Sequence, residues 1–147
     1  RLKLSAEVVK PDAVIDMSKE DVIKKSLELT EGIGPTVVIT AAPSGQAQEQ
    51  AISLVAPGGR ISFFGGLPKD KPFINCDSNL VHYKELFLVG ANGSSPKQNK
   101  IALEMISSGK VEVKKLITHK VPLAQVNKAI EAVLSGEAIK VVVNPND

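Results

Sequence analysis

An α/β fold around a doubly wound parallel sheet is expected from three runs in this 147-residue chain. Two of them, Thr36–Ala41 and Arg60–Gly65, are rich in β-branched or aromatic residues and flank one helix's length of Gln, Glu and Ala. Strands buried on both faces read as continuous apolar runs rather than alternating ones, and parallel strands need a helical crossover. The third run, Glu85–Ala91, is of the same kind. All three end in small residues: Ala41-Ala42, Gly65-Gly66, and Ala91 with Asn92-Gly93. In open α/β sheets ligands occupy the crevice outside the strands' carboxyl ends, and missing side chains there let a flat molecule approach the backbone.

The remaining elements follow in order. Residues 1–9 have a helical look but no cap residue before them, so the chain is expected to begin inside a helix and to be a fragment of a longer protein. After the Pro11 turn, Ala13–Met17 is a short predicted strand. Ser18 to Asp21 resembles a capping box that opens a helix running to about Thr30, with Val22, Ile23, Leu27 and Thr30 on one side. Gly32-Ile33-Gly34-Pro35 stops it. The crossover helix, from about Gln46 to Val55, is expected to bury Ala47, Ala51, Leu54 and Val55, and Pro57-Gly58-Gly59 turns the chain into the next strand. A loop from Leu67 to Asp77 leads to a helical piece at Asn79–Tyr83.

Past the third strand, Ser94-Ser95-Pro96 reads as a helix start with proline at the first position. Ile101, Ala102, Met105 and Ile106 form its expected buried stripe, and Gly109 ends it. Leu116–Val121 is a strand. A last helix opens at Pro122-Leu123 with Leu123, Val126, Ile130 and Leu134 at helical spacing, closes at Gly136, and leads to a final strand at Ile139–Asn144.

Composition removes several function classes. The 43% hydrophobic and 23% charged fractions suit one globular domain. With no Trp and one Tyr there is little to stack single-stranded bases, and the net charge of +2, with lysines spread along the chain, makes no basic face. A single cysteine, Cys76, permits neither an internal disulfide nor a multi-thiolate metal site, and with no signal peptide or membrane span it points to the reducing cytoplasm.

Chemistry-bearing motifs are few. There is no Gly-x-Gly-x-x-Gly, no Walker pattern and no Gly-x-Ser-x-Gly elbow. His82, His119 and Cys76 lack metal-ligand spacing. Gly58-Gly59 reads as a tight turn, whereas Gly65-Gly66 stands at a strand's carboxyl edge and is a ligand-contact candidate. Lys140, between a glycine-terminated helix and a strand, is either an exposed strand lysine or a point charge for a phosphate.

Read in order, the chain resembles the carboxyl-terminal half of the zinc-dependent medium-chain alcohol or polyol (sorbitol-like) dehydrogenases. The resemblance rests on Leu116-Ile117-Thr118-His119-Lys120-Val121-Pro122-Leu123 with Ser135-Gly136-Glu137-Ala138-Ile139-Lys140, supported by Pro57-Gly58-Gly59-Arg60 and Gly65. It implies a Rossmann-like sheet, truncated so that the first β-α-β unit is absent, with residues 1–147 a partial NAD(P)-binding domain whose last strand returns toward the catalytic domain. It implies an oxidoreductase passing hydride between an alcohol or polyol and NAD or NADP, with zinc ligands, glycine fingerprint and NAD/NADP-selecting acid all upstream, so that the isolated chain is inactive.

The resemblance also implies site residues. Ala41 and Ala42 would lie beside the adenine end of the cofactor. Phe64, Gly65 and Gly66 would meet the nicotinamide, and Ala91, Asn92 and Gly93 its carboxamide. Lys140 would pair with the pyrophosphate, while His119 matches a common motif residue to which the resemblance assigns no catalytic role. In the order 3-2-1-4-5-6 the chain would keep strands 3 to 6, leaving the strand at Ala13–Met17 without a neighbour and Thr36–Ala41 as an open edge. The fragment is then expected to be self-associated or swapped, or to have lost a segment once present, and the parent is expected to be a homodimer or homotetramer. The alternatives are a non-catalytic α/β dimerisation module and, less favoured, a doubly wound methyltransferase.

Overall fold

The structure, a computed structural model, describes residues 2–146; Arg1, with which the expected N-terminal helix opens, and Asp147 lie outside them. Down the chain run α1 (Leu2–Val8), α2 (Val22–Leu29), β1 (Val37–Thr40), α3 (Gly45–Leu54), β2 (Arg60–Phe63), α4 (Ser78–Tyr83), β3 (Phe87–Gly90), α5 (Pro96–Ser107), β4 (Ile117–Pro122), α6 (Val126–Leu134) and β5 (Lys140–Asn144). They form two compact units, one of residues 15–93, the other of residues up to Val14 together with those from Ser94 onward.

The 15–93 unit is built on a parallel three-stranded sheet in the order β1-β2-β3. Its crossover helix α3 starts where Ser44 accepts a hydrogen bond from the Ala47 amide at 3.3 Å. Its far end is held by Lys84, whose Nζ donates to the Ser53 and Val55 carbonyls at 2.9 and 3.0 Å. Gly58, at φ +68, makes the turn that returns the chain into β2. Ala51, Ile52 and Val55 of this crossover lock onto Ile61 as the buried core, with Val38, Phe63 and Leu88 packed against it. The fully buried Ile52, Val55 and Ile61 side chains each contribute roughly 1.5–3 kcal/mol.

Only one face of this sheet is covered. Val37 and Ile39 of β1 and Phe87 and Val89 of β3 point the other way and are exposed, so the apolar runs are not buried on both faces as expected. Continuous apolarity records what a strand can bury, and among the described residues α3 covers a single side.

Two expectations fail at the entrance to this unit. Ala13–Met17 forms no strand: β1 pairs only with β2, and an extended run without a neighbour has no ladder to join. Ser18 does not cap α2. Its hydroxyl and amide donate to the Asp16 carboxylate at 2.7 and 3.1 Å, closing a turn, while Asp21 caps the helix by accepting from the Ile23 and Lys24 amides at 2.9 and 3.0 Å. A carboxylate one turn nearer the helix outcompetes the serine.

In the other unit β4 and β5 form a parallel pair, Ile117 opposite Lys140 and Val121 opposite Val143, with an irregularity between Ile117 and His119. Helix α5 opens as expected with Pro96 at its start, and the capping box lies here, Ser95 and Gln98 bonding reciprocally. The predicted stripes of Ile101, Ala102, Met105 and Ile106, and of Leu123, Val126, Ile130 and Leu134, are not buried. Helix α6 buries Ala129 alone. Spacing identifies a helix's apolar side, but burial needs a facing surface, and a two-stranded pair offers little. No described helix is long and apolar enough to cross a membrane.

Candidate functional site

Parallel register sets Thr40, Phe63 and Gly90 side by side, so the segments that follow them leave from one edge of the sheet. Ala41-Ala42, Phe64-Gly65-Gly66 and Ala91-Asn92-Gly93 are thereby brought together. Two backbone hydrogen bonds tie them: the Gly65 amide donates to the Thr40 carbonyl at 2.7 Å and the Ala91 amide to the Phe63 carbonyl at 3.3 Å. The result is an open ledge rather than an enclosed cavity. All of these residues are exposed except half-buried Gly65, and the Phe64 ring stands 63% exposed beside it.

The two adjacent glycines serve different ends. A Cβ on Gly65 would lie 2.7 Å from the Ala42 carbonyl oxygen, so its missing side chain lets the β1 and β2 ends close on each other. A Cβ on Gly66 or Gly93 would meet nothing within 4 Å, so these positions open onto free space. The ledge carries no titratable side chain; it presents backbone donors and acceptors and the Asn92 amide. Such a surface can bind and orient a flat polar molecule, and it cannot itself move a proton.

Sequence reasoning missed two side chains beneath the ledge. Thr40 and Gln48, each 5% exposed, are buried polar residues, and both reach the end of β2. Thr40 Oγ1 donates to the Ser62 carbonyl at 3.3 Å and Gln48 Nε2 to the Gly65 carbonyl at 3.1 Å. A signal was present: Gln48 precedes Ala51 and Ile52 by three and four residues, placing it on the buried stripe of α3.

Lys140 belongs to the other unit, where it opens β5 opposite Ile117 and is exposed. The motif around it has a structural reason. Thr118 Oγ1 accepts from the Ile139 amide at 3.1 Å and donates to the Lys140 carbonyl at 3.3 Å, pinning the entry of β5 to β4. His119 Nδ1 lies 2.9 Å from the same hydroxyl, and its Nε2 stands 3.8 Å from the Glu137 carboxylate. Among the described residues no three His, Cys, Asp or Glu side chains converge, and Cys76 is free and exposed, so they offer no set of zinc ligands.

Residues 1–108 match the family described as zinc-binding dehydrogenase. Sorbitol dehydrogenase of Halalkalibacterium halodurans is 33% identical over 147 residues, which cover 100% of this chain and 42% of that protein. L-threonine 3-dehydrogenase of Thermococcus kodakarensis is 31% identical, with 96% of this chain and 40% of that protein covered. The crystal structure of an alcohol dehydrogenase from Thermotoga maritima is similar with a TM-score of 0.85 at 28% identity, covering 97% of this chain and 40% of that one. The chain thus spans less than half the length of these relatives. The parallel sheet with its helical crossovers and the likeness to that crystal structure bear out the expected Rossmann-like α/β class, and this chain belongs to the zinc-binding dehydrogenase family.

Proposed function

We propose that this chain is part of the nucleotide-binding domain of a dehydrogenase passing hydride between an alcohol or polyol and NAD or NADP, and that the carboxyl ledge of its three-stranded sheet seats the cofactor. The observation that carries the reading is the ledge: strand ends poor in side chains, level in register and exposed, with Gly66 and Gly93 opening onto free space. In this reading Ala41 and Ala42 take the adenine end, Phe64, Gly65 and Gly66 the nicotinamide, and Ala91, Asn92 and Gly93 the carboxamide through backbone groups. Lys140 supplies a charge for the pyrophosphate. The cofactor supplies the hydride chemistry when bound. The chain's own contribution is to hold the ring flat against backbone and to exclude side chains from its path. The described residues do not fit a zinc site.

Residues 1–147 are, on this reading, a partial NAD(P)-binding domain whose last strand turns toward a catalytic domain, and the free Cys76 suits a cytoplasmic setting. The exposed apolar face of Val37, Ile39, Phe87 and Val89 favours association into a homodimer or homotetramer. It also favours a second reading, a dimerisation module without a cofactor.

Titration of the ¹⁵N-labelled parent enzyme, which on this reading carries the upstream glycine fingerprint, with NADH and with NADPH separates them. The proposal expects saturable shifts concentrated in the amides of residues 41–42, 64–66 and 91–93. It also expects about tenfold weaker binding in Lys140→Ala, the scale of one charge-assisted contact, with the urea midpoint unmoved. No saturable response to either nucleotide, or shifts centred away from the ledge, overturns it. An unchanged affinity in Lys140→Ala removes that residue from the site.

A further inference from the structure

We infer that Gln48 is the positioning residue of the ledge: it fixes the Gly65–Gly66 peptide so that the Gly66 N–H is presented to an acceptor oxygen of the bound nucleotide. The inference rests on the cofactor reading above and adds a residue and a donor to it.

Under the strand ends lie two buried polar residues, Thr40 and Gln48. The helix face that carries Gln48 is otherwise built of Ala51, Ile52 and Leu54, where an aliphatic side chain would pack without desolvating an amide. Gln48 instead sits 5% exposed, and its Nε2 donates to the Gly65 carbonyl at 3.1 Å. The carbonyl lies two residues past the end of β2, where the ladder no longer holds it. Among the described residues its hydrogen bond is to Gln48. The other buried polar side chain, Thr40, reaches the same strand end, and its carbonyl holds the Gly65 amide at 2.7 Å. Gly65 is therefore tied on both sides, from β1 through its N–H and from α3 through its C=O.

Peptide planarity carries the restraint outward. In a trans peptide the C=O of one residue and the N–H of the next point in opposite directions. A Gly65 carbonyl drawn inward by Gln48 leaves the Gly66 N–H directed away from α3. Gly66 is exposed and has free space where its side chain would be, so an acceptor can reach that N–H. Without the inner tie the Gly65-Gly66 pair, with no Cβ on either residue, rotates freely and the donor loses its fixed direction.

The test uses the ¹⁵N-labelled parent enzyme, with NADH as the probe and three variants. Gln48→Met keeps the volume and removes the donor, Gly66→Pro removes the N–H itself without touching the core, and the third combines both. Each single variant is expected to weaken NADH binding about tenfold, with the double variant no weaker than either, because both act on one hydrogen bond. Amide exchange, which needs no ligand, is expected to quicken about tenfold at Gly65 in Gln48→Met and to stay unchanged at Ile61 of the core. Exchange that quickens equally at Gly65 and Ile61 would mark a purely structural role and overturn the inference, as would independent, multiplying losses in the double variant. Should Gln48→Met fail to fold, Gly66→Pro still decides: an affinity within twofold of the unmodified enzyme overturns the inference. Failure of the unmodified parent enzyme to bind NADH or NADPH overturns the cofactor reading and the Gly66 donor with it, while the exchange at Gly65 still accepts or rejects Gln48 as the tie.

Discussion

Replacing Gly65 by alanine should destabilise the 15–93 unit, whereas the same change one residue later should not. An added Cβ at Gly65 would stand 2.7 Å from the Ala42 oxygen, 2.9 Å from the Ala42 carbonyl carbon and 3.0 Å from the Ala41 carbonyl carbon. Comfortable separation for such atoms begins near ~3.5 Å, so the three overlaps run from about half an ångström upward. All three neighbours are backbone, and no rotamer can swing clear. The β1 and β2 ends must part instead, straining the 2.7 Å bond from Gly65 to Thr40 and the 3.1 Å bond from Gln48. Two hydrogen bonds weakened at about 1 kcal/mol each, with the overpacking strain, put the loss at roughly 1–3 kcal/mol. Gly66→Ala meets open space and should stay within about 0.5 kcal/mol, even gaining slightly from a stiffer unfolded chain. The chain has no Trp, so urea unfolding followed by far-ultraviolet circular dichroism is the assay, with Ile61 amide exchange reporting this unit alone. At a slope of about 1–3 kcal/mol per molar urea, the Gly65→Ala midpoint should fall by roughly 1 M. Coincident curves for the two variants would refute the reasoning, because only the backbone contact distinguishes them.

Two further outcomes follow from contacts away from the ledge. Lys84→Met removes the ammonium from the Ser53 and Val55 carbonyls at the end of α3 and should lower stability by about 1–2 kcal/mol; an unchanged urea midpoint would show that water replaces it at no cost. The Ser18 hydroxyl, then its amide, then Lys19 hold the Asp16 carboxyl below its ordinary 3.8. A depressed carboxyl contributes its stability in full above the unfolded value and loses it as pH falls through the lowered one, so the turn at residues 16–20 should persist somewhat below pH 3.8 and then open. In Ser18→Ala the Asp16 carbon shift should titrate at higher pH, and an identical titration would remove the hydroxyl as the cause.

How much of this was legible in the sequence depended on the range of the interaction involved. Strand cores and the crossover helix were readable because apolar runs, proline and glycine act over a few residues: β1, β2 and β3 fall inside the expected runs with trimmed ends, while α3 and β4 are displaced from theirs by a single residue. Ala13–Met17 misled because strand propensity is local while a ladder needs a neighbour, and none is present beside it. The stripes on α5 and α6 were correctly located as apolar sides but not buried, since periodicity says nothing about what faces it. The candidate site divided in the same way. Its small residues were visible as strand ends, but the tie from Gln48 to Gly65 spans 17 positions and could not be read from either residue alone.

The pair Gly65-Gly66 shows why a glycine doublet at a strand end should not be credited to a ligand as a whole. The first glycine is accounted for by the Ala41-Ala42 backbone pressing against it, before any cofactor is considered. Only the second has free space in front of it. A contact surface made of main-chain groups has an advantage that side chains lack, since peptide planes are already ordered by the sheet and lose little freedom when a ligand arrives. That advantage fades where the sheet stops, because past Phe63 β1 still holds the Gly65 amide but no strand holds the Gly65 carbonyl. A buried amide placed just beyond that point extends the sheet's rigidity by two residues, and those are the residues on which the ledge depends.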